Sequence, residues 1–145
     1  MIGHLSFGVF DLDRAIRFYD AVLAPVGMVR VWTNAGAAGY GPPGGNDKLA
    51  LMLQPQPVVP PGPGFHLAFN APTSEAVDRF HAAAMAQGGR DAGAPGLRPH
   101  YGPSYYAAFR TVTSWKPSAN RQDDRLEHLR RDLEPVSARL RAELR

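Results

Sequence analysis

The chain has 145 residues, no cysteine and a formal net charge of +3. This length is typical of one domain, and 44% hydrophobic residues suffice for a packed core. The lack of cysteine excludes disulfides, thiolate metal sites and cysteine nucleophiles. Charges balance over residues 1–109, so the basic excess lies in the tail and no nucleic-acid surface is expected. With no leader-like segment and no run of about 18 apolar residues, we expect a cytoplasmic protein without a membrane partner.

The first unit begins with alternating residues in Met1 to Val9, which predict a half-buried strand. Residues 11–27 then predict an amphipathic helix that Asp11 caps and that Pro25 and Gly27 end. Its apolar positions recur at helical spacing: Leu12, Ala15, Ile16, Tyr19, Val22 and Leu23. Three further short strands are predicted in residues 28–34, 38–43 and 48–55.

Residues 64–89 repeat this unit, because His66-Leu67-x-Phe69 follows the pattern of His4-Leu5-x-Phe7. Thr73 or Ser74 caps the second helix, and Gly88 with Gly89 ends it. The chain is therefore predicted to be α+β, with two modules that each contain a strand, a helix and a few antiparallel strands. All segments are predicted to belong to one domain. Their boundaries are a first module at 1–54, a Pro-rich connection at 55–63, a second module at 64–115 and a helical tail at 116–145.

The tail carries apolar residues at intervals of three or four, which predict an amphipathic helix restarted at Pro135. Such a stripe needs burial over the open edge of the sheet or against a partner subunit. The residues are Leu126, Leu129, Leu133, Val136, Leu140 and Leu144.

His4 and His66 occupy equivalent places in the repeat, each on the polar side of its strand. If a pseudo-twofold relates the modules, the two imidazoles approach each other as ligands of a divalent metal (Zn, Fe, Mn, Ni or Co). The alternative is that each is a hydrogen-bonded histidine in a polar cleft. We interpret His81, beside the apolar stripe of the second helix, as structural.

Residues 2–28, 65–90 and 96–109 together resemble the glyoxalase, bleomycin-resistance and extradiol-dioxygenase group, the vicinal oxygen chelate superfamily. The resemblance covers residues 1 to about 110. It implies an α+β fold in which two βαβββ modules form a cupped mixed sheet around a cleft. In metal-using members, it also implies ligands on the first strand of each module and on a last strand. His4 and His66 match the first two of these positions.

The resemblance also implies a last strand that follows a turn similar to Asp-Pro-Asp-Gly-Asn and carries a ligating glutamate. Neither follows Phe109, so the second module is predicted to lack its normal last strand, and Glu127 is a weak candidate for the third ligand. We hypothesise that the tail replaces that strand, as after a shift of reading frame. The predicted substrate pocket comprises Ser6, Asn70, His100, Tyr101, Tyr105 and Phe109.

Three functions remain open. The first is a metal-dependent lyase, isomerase, thiol transferase or dioxygenase in which the ion acts as a Lewis acid. The second is a small-molecule binding or sequestration protein of the resistance type, without metal and as a homodimer. The third is assembly through the tail. Phosphate-loop and nucleophile-elbow patterns are missing from the sequence, which argues against nucleotide-binding and serine-hydrolase classes.

Overall fold

The computed structural model describes residues 3–59, 65–111 and 137–143, and for 109–111 and 137–143 the description covers the backbone. The described chain is mixed α+β, as predicted, with two helices and two four-stranded sheets. The first unit contains β1 (Leu5–Val9), α1 (Leu12–Leu23), β2 (Val29–Asn34), β3 (Ala37–Gly41) and β4 (Leu49–Leu53). The second contains β5 (His66–Ala71), α2 (Ser74–Ala86), β6 (Arg90–Leu97), β7 (Tyr105–Thr111) and β8 (Ser137–Glu143).

Each sheet has the same strand order relative to its own unit, namely β1-β4-β3-β2 and β5-β8-β7-β6. The first strand of each unit pairs in parallel with the last, and the remaining pairs are antiparallel. A helix joins the first strand of each unit to the second, because antiparallel hairpins alone cannot make the parallel pair. The repeat found in the sequence therefore corresponds to a repeat in topology.

The helix boundaries follow the predicted caps. The side chain of Asp11 accepts a hydrogen bond from the backbone N–H of Arg14 at 2.9 Å, and Thr73 accepts one from the N–H of Ala76 at 3.2 Å. A short 3₁₀ turn, Ala24–Val26, follows α1 and ends at Gly27, which has φ 80°. A left-handed residue at this position is a common helix terminator and favours glycine.

The core lies between the helices and one face of each sheet. Leu23, Val22, Leu49, Leu51, Tyr40 and Val77 are its largest fully buried side chains. The two units touch mainly through α1 against α2 and through the 3₁₀ turn against α2 and β5. The helices thus form the contact between the units. In the described part of the chain, neither helix is long and apolar enough to cross a membrane.

The prediction of a helical tail is wrong over Ser137–Glu143, because this segment forms the strand β8. This strand lies between β5 and β7, in the position that the sequence analysis expected to be empty. Without it, β5 and β7 would each present a row of unpaired N–H and C=O groups, so pairing on both sides satisfies two edges at once. The rest of the predicted tail, residues 116–136, 144 and 145, lies outside the described residues.

Candidate functional site

Each sheet has one face against the helices and one face without a helix, and we call the second its open face. In β5, His66, Ala68 and Asn70 are exposed, whereas Leu67 and Phe69 pack against the core. In β1, Ser6 is exposed, whereas Leu5 and Phe7 pack against the core. The alternation predicted from the sequence therefore places Ser6, His66 and Asn70 on open faces.

One row of paired residues crosses the open face of the first sheet, with small residues at three positions and a tryptophan at the fourth. Ser6 pairs with Ala50, Ala50 with Gly39 and Gly39 with Trp32, so the four form one row across the sheet. A Cβ at Gly39 would meet the indole of Trp32, so the ring lies directly on this glycine. The side chain of Trp32 is 37% exposed. Ala50 and Gly39 are buried, so the accessible ends of this row are Ser6 and the ring of Trp32.

His4 lies just before β1 and contacts a carboxylate that the sequence analysis did not single out. Its Nδ1 lies 2.6 Å from Oδ2 of Asp47, and the two side chains are 45% and 22% exposed. Asp47 belongs to the loop before β4, and the parallel pairing of β1 with β4 brings that loop beside the start of β1. A hydrogen bond from one ring nitrogen to a carboxylate leaves the other nitrogen to meet a ligand, as is usual for metal-bound histidines.

His66 starts β5 at the position equivalent to His4 and is exposed. Since β1 and β5 lie in different sheets, the two histidines are not neighbours within one sheet. Among the residues that the structure describes, there is no group of three or more histidine, aspartate or glutamate side chains that could hold a metal. The weak candidate Glu127 lies outside those residues. The shared metal site remains a prediction.

Three of the predicted pocket residues come together at the β6–β7 connection. The ring centroids of His100 and Tyr101 are 4.1 Å apart, and those of Tyr101 and Tyr105 are 5.3 Å apart. Such distances are typical of interacting aromatic rings. Phe109 lies on β7 opposite Gly93, and its description is limited to the backbone. His100, Tyr101 and Tyr105 thus contact one another, whereas Ser6 belongs to the other sheet, and the substrate pocket remains a prediction.

Two polar contacts connect α2 to its sheet. His81 Nε2 lies 3.2 Å from Asp91 Oδ1, consistent with the structural role expected for His81. The hydroxyl of Tyr106 donates to Asp78 at 2.8 Å. This hydrogen bond is the largest of the effects that raise the pKa of Tyr106, followed by burial.

In the first unit, Tyr40 connects β3 to α1. Its hydroxyl donates to Asp20 at 3.0 Å, and its side chain is fully buried. Burial and this hydrogen bond raise the pKa of Tyr40. These contacts hold each helix against its own sheet.

A cavity of about 590 Å³ opens between the start of α1 and β2. Its lining includes Phe10, Asp13, Arg30 and Leu53. None of the predicted site residues lines it, so it is a different surface from the open faces.

Together, the fold and the open faces define an α+β protein built from two βαβββ units, each with a helix on one face of its sheet. The chain belongs to the Glyoxalase/Bleomycin resistance protein/Dioxygenase superfamily, whose family model matches residues 1–113. This confirms the family that the sequence resembled. No curated protein matches the chain.

Solved structures agree with this assignment. A glyoxalase/bleomycin resistance protein from Albidiferax ferrireducens T118 is 25% identical, with a TM-score of 0.70 and 98% of each chain covered. A glyoxalase/bleomycin resistance protein/dioxygenase family enzyme from Burkholderia phytofirmans PsJN is 15% identical, with a TM-score of 0.62 and coverage of 99% of this chain and 98% of that one. The fosfomycin resistance protein FosX from Listeria monocytogenes is 13% identical, with a TM-score of 0.60 and coverage of 97% and 91%. The last two similarities concern the fold alone.

Sequence reasoning missed Asp47 and Trp32. Asp47 lies in a Gly- and Pro-rich connection and carries no local signal of its contact with His4. For Trp32, a usable signal was the glycine at position 39, because an aromatic residue and a glycine in adjacent strands often pair across a sheet.

Proposed function

We propose that this protein binds a small molecule on the open faces of its sheets, within a cleft that two copies of the chain complete as a homodimer. The observation that carries the proposal is the contrast between the two faces of each sheet. One face is packed against a helix, whereas the other presents polar or small residues such as Ser6, Ala68 and Asn70. An open, concave sheet face without a helix is suited to ligand binding.

The ligand class that this surface favours is a small molecule with a planar or apolar part and oxygen-bearing groups. Trp32 provides one ring at the opposite end of the row from the exposed Ser6, and the cluster of His100, Tyr101 and Tyr105 provides more rings. Aromatic side chains bury a large area at low entropic cost. This supports the binding and sequestration function without requiring catalysis.

Filling one open face tests the proposal. Ala68→Trp places a large side chain between His66 and Asn70 on the exposed face of β5. Ala82→Trp makes the same change at an exposed position of α2 and is the matched control. For ligands found by thermal-shift screening of aromatic and oxygen-rich compounds, Ala68→Trp should weaken binding at least tenfold and Ala82→Trp should leave it unchanged.

Equal binding by both variants would contradict the proposed site. So would backbone amide shifts confined to the cavity beside Phe10 and Arg30 when a ligand is added. Sedimentation of the wild-type chain checks the dimer, and a monomer that binds ligand with full affinity would contradict the two-copy cleft.

A second candidate function is metal-dependent catalysis as a lyase, isomerase, thiol transferase or dioxygenase. The observation that favours it is the His4–Asp47 contact, because this donor arrangement fits a divalent ion at the remaining ring nitrogen. His4 and His66 would hold the ion, and a bound ion would supply Lewis-acid polarisation of substrate oxygens. The described residues of one chain do not assemble a complete ligand set, so we derive no step through the metal.

Metal analysis separates the two candidates. Stoichiometric metal that is lost in both His4→Ala and His66→Ala supports the catalytic candidate. The matched control is His81→Ala, since His81 pairs with Asp91 on the helix side of the second unit. Ligand binding by metal-free protein, unchanged by added metal, supports the binding candidate and contradicts the catalytic one.

A further inference from the structure

We propose that Asp47 is a positioning residue for His4, which it holds with the proton on Nδ1 so that Nε2 is the atom presented to a ligand. The inference rests on the proposed function, because it names Nε2 of His4 as the atom of the first unit that contacts a ligand. Its basis is the 2.6 Å contact between Nδ1 and Oδ2.

The backbone places the two residues beside each other independently of their side chains. The backbone N–H of Leu5, next to His4, donates to the carbonyl of Lys48 at 3.0 Å. The backbone N–H of Lys48 in turn donates to the backbone carbonyl of Tyr40 at 2.7 Å. Lys48 directly follows Asp47, so hydrogen bonds fix the chain on both sides of the contact. The pair is therefore a consequence of the β1–β4 and β3–β4 pairing.

Gly41 adds a second constraint on the loop that carries Asp47. A Cβ at Gly41 would meet the backbone carbonyl of Asn46 and approach Cα of Asp47. The loop thus lies against the end of β3 in a space that only glycine leaves open. This close packing limits where the carboxylate can lie.

The chemistry follows from the donor and acceptor inventory. An ionised carboxylate only accepts hydrogen bonds, so a neutral imidazole that contacts Asp47 through Nδ1 carries its proton there. Its Nε2 then has a lone pair and acts as an acceptor or a metal ligand. Within the described residues no hydrogen bond to Nε2 is formed, and the half-exposed ring is accessible from solvent. The ligand groups that fit such a nitrogen are a divalent cation and a hydrogen-bond donor.

The chain contains a matched control in the pair of His81 and Asp91. There the ring contacts its carboxylate through Nε2, at 3.2 Å, and the pair joins α2 to β6. The two pairs therefore predict opposite tautomers in one protein. A purely structural hydrogen bond at His4 would give the same tautomer but would leave cation binding at Nε2 unaffected by Asp47.

The test is two-bond ¹H–¹⁵N NMR, which reports the nitrogen that carries the proton in each neutral histidine ring, on the full, metal-free chain. The signal that disappears in His4→Gln is assigned to His4. The wild type should have the His4 proton on Nδ1. Asp47→Ala should move the His4 proton to Nε2, and Asp47→Asn should restore part of the Nδ1–H form through its amide oxygen. Asp91→Ala should change the tautomer of His81 and leave that of His4 unchanged. A wild-type His4 with its proton on Nε2 would overturn the proposal.

Titration with Co²⁺ supplies a second readout. Asp47→Ala should weaken Co²⁺ binding about 10- to 100-fold while Asp91→Ala leaves it unchanged. Equal affinity in Asp47→Ala and the wild type would overturn the positioning role. If the wild type binds no Co²⁺, the metal-dependent function fails, and the tautomer measurement decides the role of Asp47 by itself.

Discussion

The contact between Trp32 and Gly39 makes a quantitative prediction about the open face of the first sheet. A methyl group at Gly39 would occupy the space of the indole atoms Cε2, Nε1 and Cζ2, so in Gly39→Ala the ring must lift from the sheet. Lifting it exposes on the order of 100 Å² of apolar surface, which costs about 2.5 kcal/mol at roughly 25 cal/mol per Å². This agrees with the range of about 1–3 kcal/mol expected for overpacking.

Urea unfolding measures this cost, and a double-mutant cycle assigns it to the ring. In a Trp32→Ala background the clash is absent, so Gly39→Ala should then cost less than about 0.5 kcal/mol, and the coupling energy should be about 2 kcal/mol. Gly36→Ala is the control, because the nearest atom to a Cβ there is 3.8 Å away. An equal cost of Gly39→Ala with and without Trp32 would refute the reasoning.

Two further predictions concern Tyr40. Tyr40→Phe removes a hydrogen bond to the carboxylate of Asp20 and should lower the free energy of unfolding, measured in urea, by about 1–2 kcal/mol. Tyr19→Phe should lower it by less, because in the described part of the chain the Tyr19 hydroxyl is not hydrogen-bonded. Equal losses in the two variants would contradict this. Because the folded pKa of Tyr40 is raised above its unfolded value of 10.0, its contribution is fully present below about pH 10 and is lost as the pH rises. Unfolding measured from pH 8 to 11 should therefore show declining stability, with a smaller decline in Tyr40→Phe, and parallel curves would contradict the assignment.

The parts of the fold that could be predicted are those with local signals. Asp11 and Thr73 cap their helices as expected, since capping depends on residues three positions away. The alternation of His66, Ala68 and Asn70 with Leu67 and Phe69 fixed the faces of β5 in the same way.

The parts that could not be predicted depend on distant segments. The leucine spacing of the tail favours a helix, yet Ala138, Leu140 and Ala142 also alternate with polar residues, and the unpaired edges of β5 and β7 decide for a strand. Likewise, the contact of Asp47 with His4 spans most of the first unit and arises only once β1 pairs with β4. Local periodicity carries no information on such pairings.

The connection before the last strand differs strongly between the two units. Residues 42–48 join β3 to β4, whereas residues 112–136 join β7 to β8. The family model, moreover, ends its match at residue 113. A second unit that repeated the first would begin its last strand a few residues after Thr111. The mismatch supports the hypothesis that the reading frame changes in this region.

The genetic code makes that hypothesis specific. Tryptophan has the single codon TGG and both lysine codons begin with AA, so reading Trp115-Lys116 one nucleotide earlier always gives GAA, a glutamate codon. The codon before it then ends in TG and encodes leucine, methionine or valine, and the codon after it encodes alanine or threonine, because Pro117 follows. An apolar residue, a glutamate and a small residue would thus come directly after β7, where the family resemblance implies a ligand-bearing strand. We expect sequencing of the gene to show this earlier frame open across codons 110–120, and mass spectrometry of the natural protein to find its peptide. A stop codon in that frame before the glutamate, or natural peptides that contain Trp115-Lys116, would show that the tail is genuine and that the third ligand has to be sought elsewhere.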